Sequence, residues 1–197
     1  MTETDTKPAS ESHNKYERAP AKRVFAEELR KITEQRRQSD DPSEKVPVEV
    51  LLPTGEWCSR AVIAGAMTEK TKSTSPNPFY RVKVSDPTGI HYISVGSYQP
   101  EALAQLAKIS ADSLPRWVVV IGKPSIYKAQ DKNGEDRIYV SIRAESITTV
   151  DKDIRDQWIL ETCSATEARA EEHKDCLIGA TYEQVQTMVA TAKQAVQ

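Results

Sequence analysis

A change of period restricts the fold more than any other feature of this chain. Four stretches between positions 57 and 150 alternate apolar and polar side chains, the pattern of strands with one buried face, and a fifth is a short apolar run. "WCSRAVIAGAMTEK" puts Ala61, Ile63, Gly65 and Met67 on one side. "FYRVKV" sets Tyr80, Val82 and Val84 against Phe79, Arg81 and Lys83. After the turn "SDPTG", "IHYISV" reads as its hairpin partner. Then the period shifts. In "SYQPEALAQLAKIS", Pro100 stands at a first helical position and Leu103, Leu106 and Ala107 recur at helical spacing. "RWVVVIGKP" follows as a short apolar strand, and Asn133-Gly134 is a strong hairpin signal. "RIYVSIRAESITTV" turns Ile138, Val140 and Ile142 one way, and Arg137, Tyr139, Ser141 and Arg143 the other.

Three strands, a helix and two strands is the order of the oligonucleotide-binding barrel, the OB-fold. Gly65 in a long first strand suits it, because a closed sheet must bend and bring backbones close. The expected class is therefore mainly β with helical appendages. A five-stranded OB-fold barrel occupies residues 46–150, with "VPVEVLL" as an edge strand at its start. Residues 1–20 are polar and read as a disordered tail. Residues 21–45 read as a short helix and linker. Phe25, Leu29 and Ile32 make an i, i+4, i+7 stripe that predicts a docking helix over 24–37.

Residues 151–197 are expected to form a helical assembly region. Ile154, Trp158, Thr162 and Ala165 share one side of a first helix, with Asp151 placed to cap it. Thr181 and Gln184 have capping-box spacing, and Tyr182, Val185, Val189, Ala192 and Val196 follow at alternating steps of three and four. One small barrel offers little surface to cover two such stripes. They are therefore expected to face a partner, with Trp158 as anchor.

Charge is unevenly spread. Residues 57–150 carry twelve Lys and Arg against eight Asp and Glu, whereas residues 151–197 carry five against nine. A basic strand region beside an acidic tail fits a polyanionic partner for the former, and equally fits a solvated sheet face. Sequence motifs for catalysis are missing: there is no GxxxxGK[ST] phosphate loop, and neither CxxC nor HxxxH spacing offers a metal site. The expectation is a non-enzymatic protein without cofactor or metal. No apolar run is long enough to span a membrane, and the N-terminus lacks the apolar core of a secretory signal. With an odd count of three cysteines, the chain is expected in the cytoplasm, near nucleoid DNA, with no membrane partner.

An OB barrel binds single strands across its second and third strands, with Lys and Arg on phosphates and aromatic rings on bases. The candidates are Lys70 and Lys72 after strand 1, Arg81 and Lys83 on strand 2, and Tyr92 on strand 3. Lys123 and Tyr127 are expected in the loop before strand 5, and Arg137, Tyr139 and Arg143 on strand 5. Each has a plainer reading, such as an ion pair between Arg143 and Glu145. OB-folds also serve as pure protein-binding modules and as RNA binders, so direct DNA contact, a structural role and, third, RNA binding all stay open.

The motifs "AKRVFAEEL", "VLLPTGEWCSRAVIAGAMTEK", "YRVKVSDPTGIHYISVGSYQPEALAQLAKI", "VVVIGKPSIY" and "YVSIRAESITTVD", with "RDQWILET", occur in order across about residues 20–165. In that order they resemble the archaeal family of replication protein A-associated proteins. The resemblance implies an OB-fold followed by a helix, much as in the middle subunit of replication protein A. It further implies an accessory subunit of a single-stranded DNA-binding complex in replication and repair, with the large replication protein A subunit as partner.

Overall fold

The computed structural model describes residues 18–41, 43–44, 46–74, 79–130 and 132–196. Of the expected disordered tail, positions 1–17 lie outside the described residues. The strands are β1 (Lys22–Arg23), β2 (Gln35–Arg37), β3 (Val48–Leu51), β4 (Trp57–Cys58), β5 (Ala61–Lys72), β6 (Tyr80–Asp86), β7 (Gly89–Val95), β8 (Arg116–Gln130) and β9 (Asp136–Thr149). The α-helices are α1 (Ala26–Arg30), α2 (Pro100–Ala107), α3 (Lys152–Glu172) and α4 (Tyr182–Gln194).

One sheet runs in the order β1-β5-β6-β7-β9-β8, and β5 also pairs with β8. That second pairing closes β5, β6, β7, β9 and β8 into a five-stranded barrel with α2 between its third and fourth strands. The inward alternation seen in the sequence becomes its core: Ile63, Met67, Val82, Val84, Ile93, Val118, Val120 and Ile142 are all buried. β5 serves two neighbours by bending at a register shift between Met67 and Glu69. At Gly65 a Cβ would sit 2.3 Å from the Ser85 carbonyl oxygen, so only glycine permits that approach. The expected OB-fold and its bent first strand are thus present.

Three boundaries differ from expectation. The barrel starts at Ala61, since β2, β3 and β4 make a separate antiparallel sheet containing "VEVL". The stripe of Phe25, Leu29 and Ile32 is buried, yet only 26–30 is helical. Parallel pairing of β1 with β5 claims the residues before it, and antiparallel pairing of β2 with β3 claims those after. Thirdly, "RWVVVIGKP" does not stop as a short strand but continues to Gln130.

The tail folds onto its own chain. Asp151 caps α3 by accepting from the Ile154 N–H at 3.0 Å, and Thr181 with Gln184 forms the capping box of α4. The partner-facing role expected of their stripes is corrected by what covers them. Trp158 is buried, donates from Nε1 to the Val62 carbonyl at 3.3 Å, and meets the Phe25 ring edge-on at 5.5 Å. Thr162, Val185, Val189 and Ala192 are buried too, while Ala165, Tyr182 and Val196 are half-buried. The physical reason is an added layer: β1 and the segment around α1 pack beside the barrel, and α3 covers them together with β5 and β8, a wider surface than the barrel alone offers. Glu28 locks that layer. Its carboxylate accepts from Phe25 N–H (2.9 Å), Thr166 Oγ1 (3.1 Å) and Arg169 Nη2 (2.9 Å). Of the expected stripes, Ile154 alone remains exposed.

Candidate nucleic-acid interface

β7 and β9 run parallel but pair only at Ile93 with Ile142 and Ser94 with Arg143. Beyond those two positions they part. The opening is a groove of about 1000 Å³ between the outer face of β6–β7 and the β8–β9 hairpin, with α1 along one side. The hairpin reaches that far because β8 pairs with β9 from Val118 to Gln130, well past Gly122, where its pairing with β5 ends. At Gly122 a Cβ would lie 2.4 Å from the Arg143 carbonyl oxygen, so the hairpin leaves the barrel through another close approach.

Large apolar side chains gather here without cover. Ile90 is 46% exposed, Tyr92 54%, Tyr127 67%, Ile138 40% and Tyr139 50%, and all five line the groove. Tyr127 and Tyr139 are direct cross-strand partners, so their rings share one face of the hairpin. Folding would normally bury such surface, and a clustered exposed patch marks a place where something binds.

Charge in the groove is partly neutralised. Lys83 Nζ lies 2.6 Å from Glu69 Oε2. Their hydrogen bond pushes the lysine pKa up and the Glu69 pKa down, so both stay charged and paired. Arg81 stacks over the Phe79 ring at 5.1 Å. Beneath the β6–β7 turn, the buried Asp86 carboxylate accepts from the N–H groups of Ala26, Thr88 and Gly89, and lies 2.8 Å from His91 Nε2. Burial opposes its ionisation. The neighbouring His91 and the hydrogen bonds from His91, Ala26 and Thr88 outweigh that and hold its pKa below the ordinary value. This carboxylate fixes α1 against the groove.

Most sequence candidates converge on this face. Arg81, Lys83, Tyr92, Tyr127 and Tyr139 line the groove, and Lys123 and Arg143 face each other on the adjoining hairpin. Lys123 and Tyr127 do so from strand β8, a correction to their expected place in a loop. Lys70 is the clear exception. Its Nζ donates to the carbonyls of Leu106 and Ile109, both at 2.8 Å, and satisfies the end of α2. Lys72 is exposed at the end of β5, opposite Tyr80 and outside the groove lining. Arg137 sits nearer the hairpin turn, opposite Ala129. Sequence reasoning missed Ile90, Ile138 and Arg30. Ile90 shares the outward parity of Tyr92 and was open to detection, whereas α1 reaches the groove only through tertiary packing.

Closed topology, an interposed helix and an open groove across the second and third strands define an OB-fold with an available ligand face. No described protein family matches this sequence, and neither does any curated protein. Among solved structures, the chain is similar to the mitochondrial single-stranded DNA-binding protein Rim1 of S. cerevisiae. Identity is 18% over 47% of this chain and 94% of that one, with TM-score 0.37. A selenomethionine crystal of Rim1 gives 19% identity over 47% and 95%, with TM-score 0.39. The yeast Stn1 and Ten1 structure gives 12% identity over 59% of this chain and 56% of that one, with TM-score 0.44. At such identities the likeness concerns the fold alone.

Proposed function

We propose that this chain is a non-enzymatic OB-fold subunit of a replication protein A-type complex, binding single-stranded DNA in replication and repair in the cytoplasm. The observation that carries the reading is the groove. Three tyrosines and two isoleucines stand exposed together, beside Arg81 and Lys83, on the face where an OB barrel takes its ligand. Stacking on such rings is sequence-tolerant, because every base has a π-face. The motif order that resembles replication protein A-associated proteins supports the choice of complex and of the large subunit as partner. That subunit would meet the parts of α3 that stay exposed, Ile154 in its first turn and Leu160 on an adjacent face, rather than the buried Trp158.

Two experiments separate these claims. Titrating the purified chain with a labelled oligodeoxynucleotide should show binding that Tyr92→Ala with Tyr139→Ala weakens by roughly 2–6 kcal/mol, at about 1–3 per stack. An unchanged affinity contradicts the groove assignment. Co-purification with the large subunit should survive that double change and be lost in Ile154→Asp with Leu160→Asp. The opposite pattern would place the partner in the groove.

A further inference from the structure

Strand register orders the groove face into rows. Arg81 stands opposite Ser94, Ser94 opposite Arg143, and Arg143 opposite Lys123, a single row crossing β6, β7, β9 and β8. Residues two further along each strand share its outward face. In the second row Lys83 opposes Tyr92, and Ser125 opposes Ser141. In the third, Ser85 opposes Ile90, and Tyr127 opposes Tyr139. One margin of the face is therefore basic, and the other is apolar and aromatic.

The basic margin is thinner than the count of Lys and Arg implies. Lys83 is held by Glu69 at 2.6 Å. Lys123 Nζ stands 4.0 Å from Glu145, whose other oxygen is 2.5 Å from Arg60. Lys70 is engaged by the end of α2. Arg81 and Arg143 form no ion pair among the described residues, and both belong to the first row. The aromatic margin, by contrast, stays exposed at Ile90, Tyr92, Tyr127 and Tyr139.

Resting on the single-strand reading above, we propose that this groove recognises the bases of a short unpaired stretch rather than its polyanionic backbone. Bases lodge against Ile90, Tyr92, Tyr127 and Tyr139, and two phosphates lie along the Arg81–Arg143 row. A strand following the rows crosses the β-strands instead of running with them. Four strands at about 4.8 Å spacing give a row of about 14 Å, which places the site at the short end of the roughly 4–16 nucleotides an OB barrel covers. Each phosphate neutralised on a single strand contributes about −0.7 to the slope of log affinity against log salt. Two contacts give a slope of about −1.4, whereas all seven Lys and Arg candidates would give about −5.

The test uses the full chain and three short labelled probes of equal length: an ordinary oligodeoxynucleotide, the same sequence with uncharged methylphosphonate linkages, and an abasic strand. The methylphosphonate probe should bind nearly as well as the ordinary one. The abasic strand should lose roughly 30-fold or more, the loss expected from two weak stacks. Tyr139→Ala should lower affinity without moving the salt slope, and Arg143→Gln should make the slope shallower by about 0.7. If the abasic strand binds as well as the ordinary one, with a slope near −5, the groove reads backbone: this inference falls and the single-strand reading stands. If no probe binds, both fall.

Discussion

Asp86 joins three parts of the molecule through one buried carboxylate: the start of α1, the β6–β7 turn and His91. Its pKa lies below the ordinary 3.8. The folded state thus takes up this proton less readily than the unfolded chain. Its stabilisation is complete above about pH 4 and is lost as pH falls through the lower folded value. Urea midpoints should drop on acidification below pH 4, and Asp86→Asn should flatten that decline while lowering stability at neutral pH. An equal acid decline in the variant would assign it to other carboxylates. None of this was legible in the sequence, where Asp86 reads only as the residue before Pro87 in the turn "SDPTG". Outward Tyr92 and Tyr139 were legible, because alternation fixes parity whatever the sheet's partners, whereas the strand that carries Tyr127 was not.

Elements show where sequence patterns stop being local. The hairpin signal Asn133-Gly134 marks the β8–β9 turn correctly, and Gly134 has φ +80°. The strand before it runs on past "GKP", although Gly and Pro weaken a strand. In the structure Gly122 is the last partner of β5, and Pro124 follows where β8 has β9 as its remaining ladder neighbour. A missing N–H is cheap at such an edge. The helix expected over 24–37 failed for a related reason. Its stripe reflects burial of Phe25, Leu29 and Ile32 in the shared core, and strand pairing on both sides limits α1 to five residues. The hairpin's exit makes a prediction. Gly122→Ala would push a Cβ into the Arg143 carbonyl oxygen and the Ile142 side chain, and strand backbone yields little. We expect a loss of about 1–3 kcal/mol, as for overpacked cores, with weaker oligonucleotide binding as the hairpin shifts. Thermal unfolding of the variant beside binding at low temperature checks both; an unchanged melting temperature would show that the strands separate freely there.

At the scale of the molecule, N-terminal segment, barrel and tail share one core, in which Phe25, Ile63 and Ile159 are all fully buried. The acidic helices therefore act as a backing to the barrel, on surfaces other than the groove. Their stripes were legible, but what covers them was not, because the widening layer around α1 is a product of long-range packing. Trp158→Ala should cost about 3–5 kcal/mol in stability, as for a buried Trp, and a chain ending near position 150 should lose cooperative unfolding. A truncated barrel that melts like the full chain would show the tail to be independent. The central claim, that the groove between β7 and the β8–β9 hairpin holds single-stranded DNA, is tested most directly by following backbone amide resonances of the full chain during titration with a short oligodeoxynucleotide. The account predicts the largest shifts at Ile90, Tyr92, Tyr127 and Tyr139, with α3, α4 and the β2–β3–β4 sheet unmoved. Shifts concentrated on those helices or on the small sheet, with the groove silent, would contradict it.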